Sequence, residues 1–238
     1  MKLDILAFAA HPDDIELSCS ATLMKHLDMG KTVGIIDLTQ GELGTRGNVD
    51  TRYAEAAEAS KIMGITVREN LRFKDGFFDF SEENKRKIIE QIRRFQPEIV
   101  LANAIEDRHP DHGRAAKLVA DSCFLAGLRK IETSYDGVHQ AAHRPKAVYH
   151  YIQDHYIKPD FIVDATEYVD RKLEAIKAFK TQFYDPNSIE PATPISGEDF
   201  FDFVKSRMIQ NGRIIGVKYA EGFTSAREIG VNNLFDLL

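Results

Sequence analysis

The sequence predicts an α/β fold, a mostly parallel sheet with helices on both faces and an elaborated C-terminal part. Three observations predict it. Short apolar runs alternate with longer helical segments from the first residues to about residue 125. Strand-then-helix order, repeated, brings successive strands into one sheet through crossovers and makes them parallel. After Ile131 the alternation gives way to shorter and less regular segments.

Taken in order, Leu3–Ala10 reads as a buried strand ended by a loop containing Pro12. Glu16–Met29 reads as a helix: Leu17, Ala21, Met24 and Leu27 fall near helical spacing, and Gly30 is placed to end it. Thr32–Thr39 is a second strand, followed by a loop carrying Gly41, Gly44 and Gly47. Thr51–Met63 is an alanine-rich helix stopped by Gly64, and Asn70–Phe73 a short strand. Ser81 caps a helix whose first turn holds Glu82 and Glu83, where carboxylates suit the positive helix end. Glu98–Ile105 is another strand, with a helix from about His112 to Leu125. Beyond it, Ala147–Ile152 and Asp160–Ala165 read as strands, Tyr168–Lys180 as a helix, and Phe183–Gly197 as a loop with three prolines. Asp199–Gln210 is a late helix and Gly216–Phe223 a last strand. With no internal repeat and no disordered linker, residues 1–238 are expected to form a single domain.

Composition narrows the function classes. At 238 residues and 43% hydrophobic content, a full core is within reach. A net charge of -6 with scattered basic residues argues against a nucleic-acid or anionic-membrane surface. No apolar run approaches the roughly 20 residues of a membrane span. The N-terminal stretch, interrupted by Asp4, is too short and charged for a signal peptide. Cys19 and Cys123 read as buried apolar thiols, which fits a reducing compartment. The expectation is a soluble, cytoplasmic protein.

Two stretches carry the chemistry: Ala10-His11-Pro12-Asp13-Asp14-Ile15-Glu16, and Glu106-Asp107-Arg108-His109-Pro110-Asp111-His112-Gly113. Each follows the carboxyl end of an expected strand and precedes a helix, so both can reach one crevice. A lone His-Pro-Asp is most often a capped turn. Two such loops, both with histidine and paired acids, point instead to the halves of one metal-hydrolase site. The first strand–helix turn has no glycine, which removes the dinucleotide fingerprint. His11, Asp14 and His112 can supply three protein ligands, leaving a position for water whose pKa the metal lowers to about 7. Asp13 and His109 are then free for proton transfer. An imidazolium at His109 can stabilise an oxyanion, and Asp111 could orient that ring and keep it protonated. Zinc suits these donors, with iron(II) as the alternative. His26, His139, His143, His150 and His155 read as surface or loop residues. A binding module that holds metal or nucleotide without turnover is the competing class; two reactive groups beyond the ligand set speak against it.

These motifs resemble the LmbE-like, or PIG-L, de-N-acetylases. Further segments carry the resemblance: Leu38-Thr39-Gln40-Gly41-Glu42-Leu43-Gly44, Thr51-Arg52-Tyr53-Ala54-Glu55-Ala56, Lys74-Asp75-Gly76, Pro159-Asp160-Phe161, and Gly216–Phe223. The resemblance implies a Rossmann-like parallel sheet and a metal-dependent N-deacetylase. It implies His11, Asp14 and His112 as metal ligands, Asp13 as general base, and His109, supported by Asp111, as oxyanion stabiliser. It also implies sugar contacts for Arg52, Asp75 and Glu42, a small N-acetylglucosaminyl substrate, and a homo-oligomer, hexameric in some relatives. The branch it looks like is the bacillithiol-biosynthesis deacetylase, acting on N-acetylglucosaminyl-malate. Ile15 separates Asp14 from Glu16, where many members have the glutamate directly after the second aspartate, so Glu16 is given no catalytic role. Arg108 is the candidate for a malate carboxylate. Its alternative is an ion pair with Asp107 or Glu106.

Overall fold

The computed structural model describes residues 1–236. Its elements run β1 (Ile5–Ala9), α1 (Asp14–Ser18), α2 (Ser20–Asp28), β2 (Val33–Thr39), α3 (Val49–Met63), β3 (Val67–Phe73) and α4 (Glu82–Phe95). They continue with β4 (Ile99–Ala102), α5 (Pro110–Ala126), β5 (Ser134–Tyr135), β6 (Val138–His139), β7 (Ala147–Tyr151), β8 (Phe161–Asp164), α6 (Val169–Lys177), α7 (Phe200–Ile215) and β9 (Ala220–Ser225). Seven strands form the main sheet in the order β3-β2-β1-β4-β7-β9-β8. The first five are parallel; β9 runs antiparallel to both β7 and β8. The mostly parallel α/β fold is therefore as the sequence predicts, including the change of pattern after Ile131.

Central β1 is buried along its whole length, and its two faces feed two cores. Leu6 and Phe8 pack with Ile88 and Ile92 of α4 and Leu118 of α5. Ile5, Ala7 and Ala9 pack on the other side with Ile15, Leu23 and Met24 of the first two helices. The two-residue period of the strand thus reads directly into two helical layers. The path from β1 turns towards β2 and β3 on one side, while β4 pairs with β1 on the other. The crevice at the carboxyl ends of β1 and β4 is the switch point, and both motif loops leave from it.

The expected helix over 16–29 is two helices, broken at Cys19 (φ -140°, ψ 13°). The break has a partner far along the chain. The Glu221 carboxylate of β9 accepts from the amides of Ala21 (3.3 Å) and Thr22 (2.7 Å), capping α2 afresh, and Lys172 of α6 pairs with Glu221 at 2.6 Å. Three helices, α1, α3 and α5, start about two residues earlier than the sequence suggests. Asn48 and Thr51 form a reciprocal cap on α3, and Pro110, with its φ already set for a helix, occupies the first turn of α5. Asp136 and Gly137, both at positive φ, close a small hairpin between β5 and β6.

Candidate active site

The first loop is built around an unusual backbone. Asp13 precedes α1 at φ 130°, a region that side-chain-bearing residues rarely adopt, at a strain on the order of 1–3 kcal/mol. Arg52 of α3 holds it there, donating to the Pro12 carbonyl (2.8 Å) and to Asp13 Oδ2 (3.0 Å). Both Arg52 and Asp13 are buried. Burial drives the Asp13 carboxyl up to about 7, with the Arg52 charge opposing it. Asp14, the first residue of α1, is tied down at both oxygens. Oδ2 accepts from the His11 amide (3.0 Å) and Asn103 Nδ2 (2.8 Å), and Oδ1 from Gln153 Nε2 (3.0 Å). Burial favours its neutral form, but the charges of His112 and His11 and the bonds they make hold it well below the usual carboxylate range.

The second loop brings His109 and His112 to the same place. The ring centroids of His11 and His109 are 4.6 Å apart, those of His109 and His112 5.2 Å, and those of His11 and His112 5.6 Å. His112 Nε2 lies 3.2 Å from Asp14 Oδ1, and His11 Nδ1 3.8 Å from Asp14 Oδ2. The other His112 nitrogen, Nδ1, bonds to Asp107, an arrangement that fixes the ring and aims Nε2 into the cluster. Among the described residues, two groups have ligand atoms within 4.8 Å of one another: His11, His109 and His112, and His11, Asp75 and Asp111. Burial pulls both ligand-candidate imidazoles down, but the neighbouring carboxylates outweigh it. His11 rises to about 10 through Asp111, Asp75 and Asp14, and His112 to about 9 through Asp14 and Asp107. A site that holds protons this tightly is built for positive charge, which fits a divalent cation in exchange for them.

Several expected roles change on contact with the geometry. Asp111 does not orient His109 through its carboxylate. That carboxylate faces His11 Nε2 (3.4 Å), the Gly76 amide (2.8 Å) and Arg114, while the Asp111 backbone N–H donates to His109 Nδ1 (3.2 Å). His109 is therefore the N-cap of α5 and, with Nδ1 accepting, carries its proton on Nε2. Burial, together with the positive His11 and His112, lowers its pKa and disfavours the imidazolium expected from the sequence. Arg52 is committed to Asp13 rather than standing ready for a sugar. Asp75, buried, accepts from His11 Nε2 (3.0 Å) and the Leu43 amide (2.9 Å). The Glu42 carboxylate turns onto the amides of Asp75 (2.8 Å) and Gln40 (3.2 Å). Arg108 pairs with Asp154 (Nε to Oδ2, 3.2 Å), not with Asp107 or Glu106. His150 is buried in β7 on the Asn103 carbonyl, not at the surface.

Three residues escaped the sequence reading. Asn103 links the two loops, accepting from the Ala10 amide (2.9 Å) while donating to Asp14. Gln153 accepts from Asn103 and the Ala104 amide and donates to Asp14. Asp107 stood inside the second motif, five residues before His112, but that spacing alone gave no reason to pair them. Asn103 had one weak signal, an amide side chain at the very end of a strand that leads into a motif loop.

The cluster opens into a cavity of about 380 Å³, lined by His11, Asp13, Asp14, His109 and His112 at one end. Residues of α7 and the segment 193–195 line it elsewhere. A buried carboxylate, an imidazole that can donate through Nε2 and a set of converging metal-type donors in one concave site are the parts of a metal-dependent hydrolase site on this α/β sheet. A family model described as PIG-L, GlcNAc-PI de-N-acetylase, matches residues 6–123. The conserved protein TT1542 from Thermus thermophilus superposes with a TM-score of 0.86 at 34% identity, over 98% of each chain. The diacetylchitobiose deacetylase of Thermococcus kodakarensis is 28% identical over 92% of this chain and 81% of its own length. A probable N-acetyl-α-D-glucosaminyl L-malate deacetylase of Bacillus anthracis is 25% identical over 75% of this chain and 81% of its own. The chain belongs to the PIG-L, or LmbE-like, family of N-deacetylases.

Proposed function

We propose that the protein is a metal-dependent de-N-acetylase acting on an N-acetylated amino-sugar conjugate. The observation that carries the reading is Asp13: a carboxylate buried beside the ligand candidates, yet bonded only to Arg52 and so available to move a proton. His11, Asp14 and His112 would hold the cation, zinc by donor type, with iron(II) suited to the same set. The bound cation supplies Lewis acidity, polarising the acetamide carbonyl and acidifying water. Asp13 takes the proton of the attacking water and returns it to the sugar nitrogen as the C–N bond breaks, so acetate and free amine are the products. His109 donates Nε2–H to the oxyanion that forms at the carbonyl carbon. Arg52 opposes the upward push of burial on the Asp13 carboxyl and keeps it aimed. Asp107 and Asn103 hold His112 and Asp14 in place, and Asp111 and Asp75 hold His11.

A finer reading, which competes with the apolar aglycone argued below, names N-acetylglucosaminyl-malate, as in bacillithiol biosynthesis. It is supported by the EDRHPDHG and YAEGF segments, by Arg108 on the cavity wall, and by the B. anthracis relative. A malate carboxylate would have to displace Asp154 from Arg108. The chain is further proposed to work as one domain, in the cytoplasm, as a homo-oligomer of the hexameric kind; among the described residues no helix is long and apolar enough to cross a membrane. Acetate release from N-acetylglucosaminyl glycosides tests the reading. Chelation should abolish release and added zinc or iron(II) restore it. Release that survives complete metal removal would overturn it.

A further inference from the structure

Beyond the histidine–carboxylate cluster, the cavity changes character. Leu17, Ile195, Phe200, Val204 and Met208 line it from α1, the 193–195 segment and α7. Towards solvent, three large apolar side chains on the same lining stand unusually open: Leu43 at 62% exposure, Tyr156 at 59% and Phe203 at 41%. Apolar groups gathered around a cleft and left in water mark a surface that something covers.

The charges of the lining point the same way. Six carboxylates and four cations face the cavity, so a dication at the proposed metal site would bring the balance to zero. None of the four cations is waiting for an anion. Arg52 is bound to Asp13, Lys172 to Glu221 and Arg108 to Asp154. Arg207 spends both terminal nitrogens on the carbonyls of Asp154 and His155. A dianionic ligand would meet no net attraction here and would have to break an existing pair.

We propose that the outer cavity is a subsite for an uncharged, apolar aglycone, alkyl or aryl, carried by the N-acetylated sugar whose amide lies at the metal-type cluster. This rests on the de-N-acetylase reading and gives the substrate class within it. The exposed apolar residues share one lining with the histidine–carboxylate cluster, and in an acetylated sugar the aglycone, not the two-carbon acetyl group, is the part that could cover them.

The test compares kcat/KM for acetate release by the zinc-supplied protein from methyl, hexyl and phenyl N-acetylglucosaminides and from N-acetylglucosaminyl-malate. An N-butyryl methyl glucosaminide is the acyl-side control. The hexyl and phenyl glycosides should exceed the methyl glycoside by about tenfold or more, as burial of several methylenes implies. The malate conjugate should do no better than the methyl glycoside. Phe203→Ser, at a half-exposed position and with unchanged methyl glycoside turnover as the control for folding, should bring the hexyl-to-methyl ratio down towards one, and Arg108→Ala should not lower that ratio. Equal rates for hexyl and methyl, a preference for malate that Arg108→Ala removes, or a gain from the longer acyl chain in place of the longer aglycone would each overturn the assignment. Failure to release acetate from any of them would instead overturn the de-N-acetylase reading beneath it.

Discussion

The same tripeptide, His-Pro-Asp, occurs at 11–13 and 109–111, and the two copies are used in opposite ways. In the first, the histidine stands in the cluster, the proline is a turn residue, and Asp13 sits strained at φ 130° with its carboxylate on Arg52. In the second, the histidine caps the helix, the proline begins it, and Asp111 is fully buried, reaching across to His11 of the other loop. A two-residue offset in where the helix begins decides the difference. The helix after the first loop starts at Asp14, one residue past the tripeptide, whereas α5 starts at Pro110, inside it. Each aspartate therefore leaves the backbone at a different point of a helical start, and only Asp13 is left to react. A repeated motif here is a repeated set of atoms, not a repeated set of roles.

Substitutions can break this comparison, and the largest effect belongs to the groups that would hold charge at the centre. Asp14→Ala should remove bound metal and at least about 10⁴-fold of turnover, since it deletes a ligand and strands two imidazoles. Metal content after dialysis and acetate release measure both. The analogous change in the second loop, Asp111→Asn, should leave metal content far less affected.

Arg52→Met comes next, because Arg52 is what makes Asp13 different. Leaving the Asp13 charge buried without its partner costs on the order of 3 kcal/mol, read from denaturant unfolding above pH 7. The sign for catalysis follows from the base needing its charge. Activity rises as pH passes through the Asp13 pKa, near 7 in the intact protein, and loss of the guanidinium moves that limb upward. Stability runs the other way. An acid whose folded pKa is raised contributes most below its unfolded value, and that contribution is lost as pH rises through about 7. A limb that stays in place would mean that Arg52 does not set the Asp13 charge.

Asp107→Asn should be the smallest of the three. It leaves every ligand candidate in place but weakens the hold on His112 Nδ1, so metal affinity should fall roughly 10–100-fold. An unchanged affinity in a metal titration would count against the orienting role.

The sequence showed the sheet and the two loops because those signals are local: short apolar strands, caps, and motifs at strand ends. It did not show what each side chain touches. Asn103 to Asp14, Gln153 to Asp14, Glu221 to α2 and Asp154 to Arg108 all join positions dozens of residues apart or more, and no spacing rule links them. The break of the first helix at Cys19 was hidden for the same reason, since its cap comes from β9 near the other end of the chain. Arg52, Asp75 and Glu42, expected to contact the sugar, have partners within the protein that no spacing rule gives: Asp13 for Arg52, His11 and the Leu43 amide for Asp75, and the Asp75 amide for Glu42.

The central claim is that the first loop divides its labour: His11 and Asp14 hold the cation, and Asp13 moves the proton. Asp13→Asn tests it most directly, with metal content and acetate release measured on the same preparation. The division predicts metal retained near one equivalent and turnover reduced by about 10²–10⁴-fold, the range of a general base. Loss of the metal together with activity, or activity close to that of the unaltered protein, would contradict it.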